Sequence, residues 1–227
     1  MGRPPRPQSL FTPTKEEVRE TALRVVNILE QYGLSCCMIG SAATSAWGAS
    51  RTPKDVDMVI MTRSHSQEDI KRLITTSDST FYLVSSTNPR NSYKILWHRY
   101  PSISRAGLAI KIDILVPPTL NIPFVEPHLI TTRDSLPIMP LLPLLLLKLQ
   151  GWDDHRLSAY DNQRIKKYVY AEDVEELLVI ALREGVGRYD DTWLPSTFTT
   201  RGELRISSFV REHPGTRGSW RQIGFRC

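Results

Sequence analysis

The chain has 227 residues, 41% of them hydrophobic, enough for one large domain or a catalytic core with a helical appendage. Residues 1–133 carry 16 Lys and Arg against 11 Asp and Glu, residues 134–195 carry 7 against 11, and residues 196–227 carry 6 against 2. A basic first half and a basic tail suit polyanionic partners such as a nucleoside triphosphate or RNA.

Three cysteines (Cys36, Cys37, Cys227) cannot make a disulfide framework and suit a reducing compartment. No Cys-x-x-Cys or paired-histidine spacing points to zinc, and His65, His98, His128, His155 and His213 show no catalytic grouping.

Residues 1–7 are basic and proline-rich without an apolar stretch, so they read as part of a disordered arm at 1–13 and not as a signal peptide. Thr14 and Glu17 then form a capping box, and Val18, Ala22, Val25, Val26 and Leu29 make the stripe of a helix that Gly33 ends. An apolar strand at 35–39 leads into a small-residue helix at 41–47, stopped by Gly48. A strand follows at 56–61, then a helix near 66–75 capped by Ser66, with Ile70, Leu73 and Ile74 facing inward. Strands at 81–84 and 92–97 flank a polar turn containing Asn88, Pro89, Arg90 and Asn91, and a strand at 108–116 ends at Pro117 and Pro118.

The proline-rich stretch 121–140 reads as a loop into an all-helical second half. That half contains helices at 141–150, 162–170, 171–184 and 202–212 and a short one around Trp220. The run 141–147 is very apolar but far short of the ~20 residues that span a bilayer, so it is a buried helix. The pattern predicts an α/β (α+β) chain. A mixed sheet with flanking helices occupies 14–133, and a helical domain with a basic tail occupies 134–227.

The informative residues are carboxylates placed inside apolar strands. Asp55 and Asp57 alternate onto one face, and Asp113 sits in a second strand between Ile112 and Ile114. An ionised aspartate left unpaired in such a setting costs several kcal/mol. Three together call for cations, basic partners or water, and carboxylate oxygens are the ligands Mg²⁺ prefers. Ahead of the pair, Gly40 lets the backbone approach a phosphate, and Ser41 with the new helix N–H groups offers donors to an anion.

Gly40-Ser41, then Arg51, then Asp55-x-Asp57, then Asp113 together resemble the nucleotidyltransferase superfamily that includes DNA polymerase β, the kanamycin nucleotidyltransferases and the abortive-infection nucleotidyltransferase toxins. The resemblance covers roughly 15–183, with its sharp motifs at 39–60 and 110–116. Many relatives carry threonine two residues before the first aspartate, where this chain has Pro53.

The resemblance implies two Mg²⁺ (or Mn²⁺) ions held by Asp55, Asp57 and Asp113 about 3.5–4 Å apart, with an NTP as donor. It further implies Gly40 and Ser41 as a phosphate cradle, and an acceptor hydroxyl on an RNA 3′ end, a protein or a small molecule. Arg51 reads equally as a phosphate clamp or a structural ion-pair partner, and Lys94 as a triphosphate contact or a solvated lysine. Asp113 has an alternative as the ion-pair partner of Lys111 or Lys94, and Tyr93 reads as a core tyrosine before a base-stacking one.

In the helical half, Lys148, Lys166, Lys167 and Asp173 loosely match the lysine and aspartate that small relatives set against the nucleotide. A solvated helix face with i,i+4 pairing is the simpler reading. The overall reading is a cytoplasmic nucleotidyltransferase, the nucleus left open, with no membrane partner and its oligomeric state unread. Its rivals are a non-catalytic nucleotide or RNA binder and an interaction module docking through the acidic helix 171–184.

Overall fold

The computed structural model describes residues 11–86 and 93–227. Most of the expected arm at 1–13 lies outside them, as do the polar turn at 88–91 and the first residue of the strand read at 92–97. The chain forms two compact units. One comprises Met1–Ala42, Thr52–Leu120 and Phe124–Ile138; the other comprises Ala43–Arg51, Asn121–Pro123 and Met139–Cys227.

The first unit opens with α1 (Lys15–Gln31). Its capping box is in place, with the Thr14 N–H donating to Glu17 and the Glu17 N–H to the Thr14 hydroxyl. A left-handed Gly33 (φ 67°) closes the helix as the Leu34 N–H reaches back to the Leu29 carbonyl. Strands β1 (Cys36–Ile39), β2 (Val56–Ile60), β3 (Phe81–Ser85), β4 (Lys94–Arg99) and β5 (Ala109–Leu115) follow, with α2 (Gly40–Ala46) after β1 and α3 (Gln67–Ser77) after β2. Ser66 caps α3 through a second capping box with Asp69.

The stretch expected as a loop at 121–140 is more ordered than its prolines suggest. After two 3₁₀ turns, β6 (Thr131–Arg133) and β7 (Leu136–Ile138) form a hairpin. Asp134 (φ 50°) and Ser135 (φ 64°) sit at its tip, as a two-residue turn with both central residues left-handed requires. The boundary drawn at 133/134 therefore falls inside this hairpin, whose second strand joins β1 in parallel through Met38 and Ile138. The finished sheet is mixed, in the order β3-β4-β5-β2-β1-β7-β6.

The core of this unit is made by Val25 and Leu29 of α1, Ile70 and Ile74 of α3, and the inward-facing Met58, Leu96, Ile110 and Ile112 of the strands, all 0% exposed. Cys36 and Cys37 are buried, and burial pushes both thiols well above the ordinary cysteine range, to about 12 for Cys36.

The second unit is helical: α4 (Leu141–Arg156), α5 (Asp161–Arg164), α6 (Lys166–Glu184), α7 (Ser196–Glu212) and α8 (Arg217–Gln222). The separate segments read at 162–170 and 171–184 are a short α5 and one long α6, which a left-handed Gly185 stops. Helix α7 starts well before the expected residue 202. The Ser and Thr run ahead of it is poor in helix propensity, but buried Phe198 holds it in register.

Close packing fixes α4 against its neighbours. A side chain at Gly151 would meet the Tyr170 ring at 2.3 Å, and one at Gly202 would meet Leu146 at 3.1 Å. Trp152, Phe209 and Trp220 fill the centre in edge-on pairs at 4.9 and 6.5 Å. Among the described residues no helix is long and apolar enough to cross a membrane.

One buried titratable group gives the first unit a pH dependence. The His98 ring is 0% exposed, stacks on Phe81 at 4.6 Å and holds Thr21 Oγ1 at 2.8 Å from Nδ1. Burial first and Arg24 second pull its pKa down to about 4, against a weaker upward pull from Asp78. Below the ordinary histidine pKa of about 6.5 the unfolded chain gains a proton that the folded one refuses, so stability falls as pH drops toward 4. Between pH 7.5 and 5 this group should cost about 2 kcal/mol, read by denaturant unfolding at the two pH values. A His98→Asn variant should lose correspondingly less; an equal loss in both proteins would remove His98 as the cause.

Candidate active site

Strand pairing in the first unit assembles the carboxylates. β2 and β5 run parallel, with Asp57 directly opposite Asp113 and Val56 opposite Ile112. On β5 the residues alternate, with Ile110, Ile112 and Ile114 buried and Lys111, Asp113 and Leu115 partly exposed. Asp57 and Asp113 thus share the accessible face, and Asp55, just before β2, lies on it by the same two-residue period. On the other side of β2, antiparallel β1 sets Ile39 opposite Asp57 and delivers the chain into α2 at Gly40.

Gly40 is the tightest point. Its φ is +67°, and a side chain there would lie 1.9 Å from Asp57 Oδ2. Only glycine permits both the left-handed backbone and the contact with the carboxylate. Ser41 is buried, and its hydroxyl donates to Asp55 Oδ1 at 3.5 Å, the long limit for such a bond.

The cation in this cluster is Lys111, two residues before Asp113 on the same strand face, whose ammonium is bonded to Asp113 Oδ2. Burial works against its charge. The hydrogen bond to Asp113 and the fields of Asp113, Asp55 and Asp57 outweigh burial and raise its pKa. Among the described residues no three His, Cys, Asp or Glu side chains are gathered closely enough to hold a metal ion as they stand. The three aspartates offer only carboxylate oxygen, on adjacent backbone positions of one face, so the donor set suits Mg²⁺ once Lys111 swings off Asp113.

One of the expected cofactor contacts faces the other side of the sheet. Lys94 opens β4 on the face of Leu96, which pairs with buried Ile112, whereas the carboxylate face is that of Trp97 opposite Lys111. Strand alternation therefore turns Lys94 away from the aspartates, and its carbonyl accepts from Lys71 Nζ at 2.6 Å.

Arg51 belongs to the second unit, where it donates to Asp173 Oδ2 at 2.8 Å. Asp173 is 3% exposed and also accepts from buried Lys148 at 2.7 Å. The solvated helix face expected for Lys148 and Asp173 is thus replaced by a buried carboxylate with two cations. Lys166 and Lys167 do remain near the surface, Lys167 pairing with Glu212 at 3.2 Å. Tyr93 is 49% exposed, so the core reading of its ring fails, and Lys71 lies over it at 5.8 Å. The lysine within the carboxylate cluster was legible only as a candidate ion-pair partner, through its two-residue spacing to Asp113.

No protein-family model matches the chain, and no curated protein does. Solved structures match. The crystal structure of an antigenic nucleotidyltransferase-like protein from Paracoccidioides brasiliensis superposes with a TM-score of 0.69 over 94% of this chain and 96% of that one, at 12% identity. The solution structure of the antibiotic-resistance factor ANT(2″)-Ia covers 76% of this chain and 94% of its own, at 11% identity and a TM-score of 0.41. Terminal uridylyl transferase 4 from Trypanosoma brucei with bound GTP covers 78% and 53%, at 12% identity and a TM-score of 0.34. The first establishes architecture: this chain has the fold of nucleotidyltransferase-like proteins.

Proposed function

We propose that this protein is a metal-dependent nucleotidyltransferase that moves a nucleoside monophosphate from an NTP to an acceptor hydroxyl and releases pyrophosphate. The observation that carries the reading is the register of Asp57 against Asp113 on adjacent parallel strands, with Gly40 pressed against Asp57. Asp55, Asp57 and Asp113 would hold two Mg²⁺ (or Mn²⁺) ions, which would supply positive charge to the triphosphate and the departing pyrophosphate. Gly40 leaves room for a phosphate at the start of α2, and the Ser41 hydroxyl turns from Asp55 to donate to a phosphate oxygen. Lys111 releases Asp113, whose freed carboxylate oxygen takes the proton of the acceptor hydroxyl. The acceptor oxygen bonds to the α-phosphorus as the bond from that phosphorus to the bridging oxygen breaks, and the electron pair leaves with pyrophosphate.

The acceptor class is an RNA 3′ end, a protein side chain or a small molecule. A second reading, a nucleotide or RNA binder without catalysis, draws on the Lys111–Asp113 pair, because a resident cation neutralises part of the cluster without metal.

Label transfer from each α-³²P-labelled NTP to RNA, protein and small-molecule extracts, with Mg²⁺ or Mn²⁺, separates the two. Transfer should require metal and fall at least about a hundredfold in Asp57→Asn, since metal-borne charge stabilisation is worth several kcal/mol. Metal-dependent NTP binding with no transfer to any acceptor would favour the binder.

Gly40→Ala should cost about 1–2 kcal/mol of stability from the left-handed backbone and displace the Asp57 carboxylate. Transfer should then drop to the Asp57→Asn level in a protein that still folds. Full transfer by Gly40→Ala would refute the close approach as a requirement.

Lys111→Met should tighten Mg²⁺ binding, measured by calorimetry, by up to about fivefold. A half-exposed pair such as Lys111–Asp113 is worth ~0.2–1 kcal/mol. Unchanged affinity would show that Lys111 does not compete with metal.

A further inference from the structure

The basic tail folds into a surface with a chemistry of its own. From His213 to Cys227 the chain carries Arg217, Arg221 and Arg226 and no Asp or Glu. All three arginines are exposed, and among the described residues none is ion-paired to an Asp or Glu side chain. The nearest acid in sequence, Glu212, is engaged by Lys167 at 3.2 Å and Arg156 at 3.7 Å, and Glu175 lies against His213 at 2.9 Å.

Arg217 and Arg221 stand four residues apart on α8, so they share a face. The chain end folds back along that helix. The Arg221 guanidinium donates to the Cys227 main-chain oxygen at 3.1 Å, and Cys227 Sγ lies 3.7 Å from the Arg217 carbonyl, so the segment carrying exposed Arg226 runs back beside α8.

The apolar residues of the segment point the other way. Trp220, Ile223 and Phe225 are 0%, 5% and 2% exposed, and among the described residues no large apolar side chain after Leu204 is exposed. A membrane-surface helix needs an apolar face to insert, and α8 presents none; the exposed apolar neighbours, Tyr189 beside Gly224 and Val179 beside Ser219, are single side chains and not a continuous patch. What remains is positive charge in fork-shaped guanidinium groups, which match phosphate oxygens bidentately.

We propose that Arg217, Arg221 and Arg226 bind the phosphodiester backbone of a nucleic acid. Such contacts position a strand without reading its bases, so the binding is sequence-independent and salt-dependent. The inference does not rest on transfer chemistry, and its test is run in EDTA without NTP, so either can fail alone.

The test is fluorescence anisotropy with a labelled mixed-sequence single-stranded RNA and the matching DNA, across a KCl series. An Arg217→Gln/Arg221→Gln/Arg226→Gln variant should bind about tenfold or more weakly at low salt. Its plot of log affinity against log salt should flatten by about 2, three single-strand phosphate contacts being lost. The triple Arg→Lys variant should restore most of the binding, which rules out a folding defect as the cause. An Arg24→Gln/Arg72→Gln/Arg99→Gln variant, altered in α1, α3 and β4, removes the same charge elsewhere and should keep its affinity within about twofold. RNA bound more tightly than DNA would name the physiological strand.

Equal losses in the two Gln variants would reduce the effect to net charge and overturn the proposal. So would a wild-type protein that binds neither strand. Binding to 3:1 phosphatidylcholine–phosphatidylserine vesicles that is abolished by the tail variant would overturn it in favour of a membrane surface.

Discussion

The parallel pairing of β2 with β5 is the constraint on which the site depends. It sets Asp57 and Asp113 directly opposite each other, and opposed side chains on neighbouring strands start about 5 Å apart. Two negative charges at that spacing repel by about 3 kcal/mol at the effective dielectric near a protein surface. The same face must then also accept Asp55. The chain tolerates this because the face is open to water and because Lys111, on the same strand as Asp113 and bonded to it, supplies a positive charge that the fields of all three carboxylates favour. Gly40 meets the same constraint from the other side, since any side chain there would push Asp57 out of line.

Much of this was legible from the residues alone. Aspartates within runs of Val and Ile stand out because burial penalises them, and the two-residue period assigns Asp55 and Asp57 to one face without further information. Helix ends were equally readable where local chemistry decides them: Thr14 with Glu17, Ser66 and Gly33 act through bonds to neighbours a few positions away. Register was not legible. Nothing local states that Asp57 pairs with Asp113 rather than sliding by two residues, nor that Lys94 lands on the face of Leu96. Both follow from how the whole sheet closes.

The hairpin at Asp134-Ser135 was overlooked for a different reason. Its turn uses two residues less typical of left-handed positions than Asn-Gly, and its strands are three residues each with a proline in the second. Such short segments carry almost no period of their own, and only the sheet edge offered by β1 gives them a partner. Helix α7 repeats the lesson in the second unit: Ser196 to Thr200 have weak local preference, and the burial of Phe198 overrides it.

The two units also treat buried charge in opposite ways, and the contrast separates a structural carboxylate from one open to chemistry. Asp173 and Lys148 expose 3% and 6% of their side chains, and Arg51 adds a second cation from the surface. Removing Asp173 or Lys148 would strand a charge without water, so this triad acts as a fixed connection between α4, α6 and the chain at Arg51. Asp113 and Lys111 expose 38% and 35%, so water screens them and either can change partner at little cost. A ligand bringing cations or phosphate can displace Lys111 from Asp113, whereas a ligand at Asp173 would first have to break two charge-assisted bonds in a dry setting. Releasable compensation, more than the count of acids, is what distinguishes the β2–β5 face from the Asp173 triad.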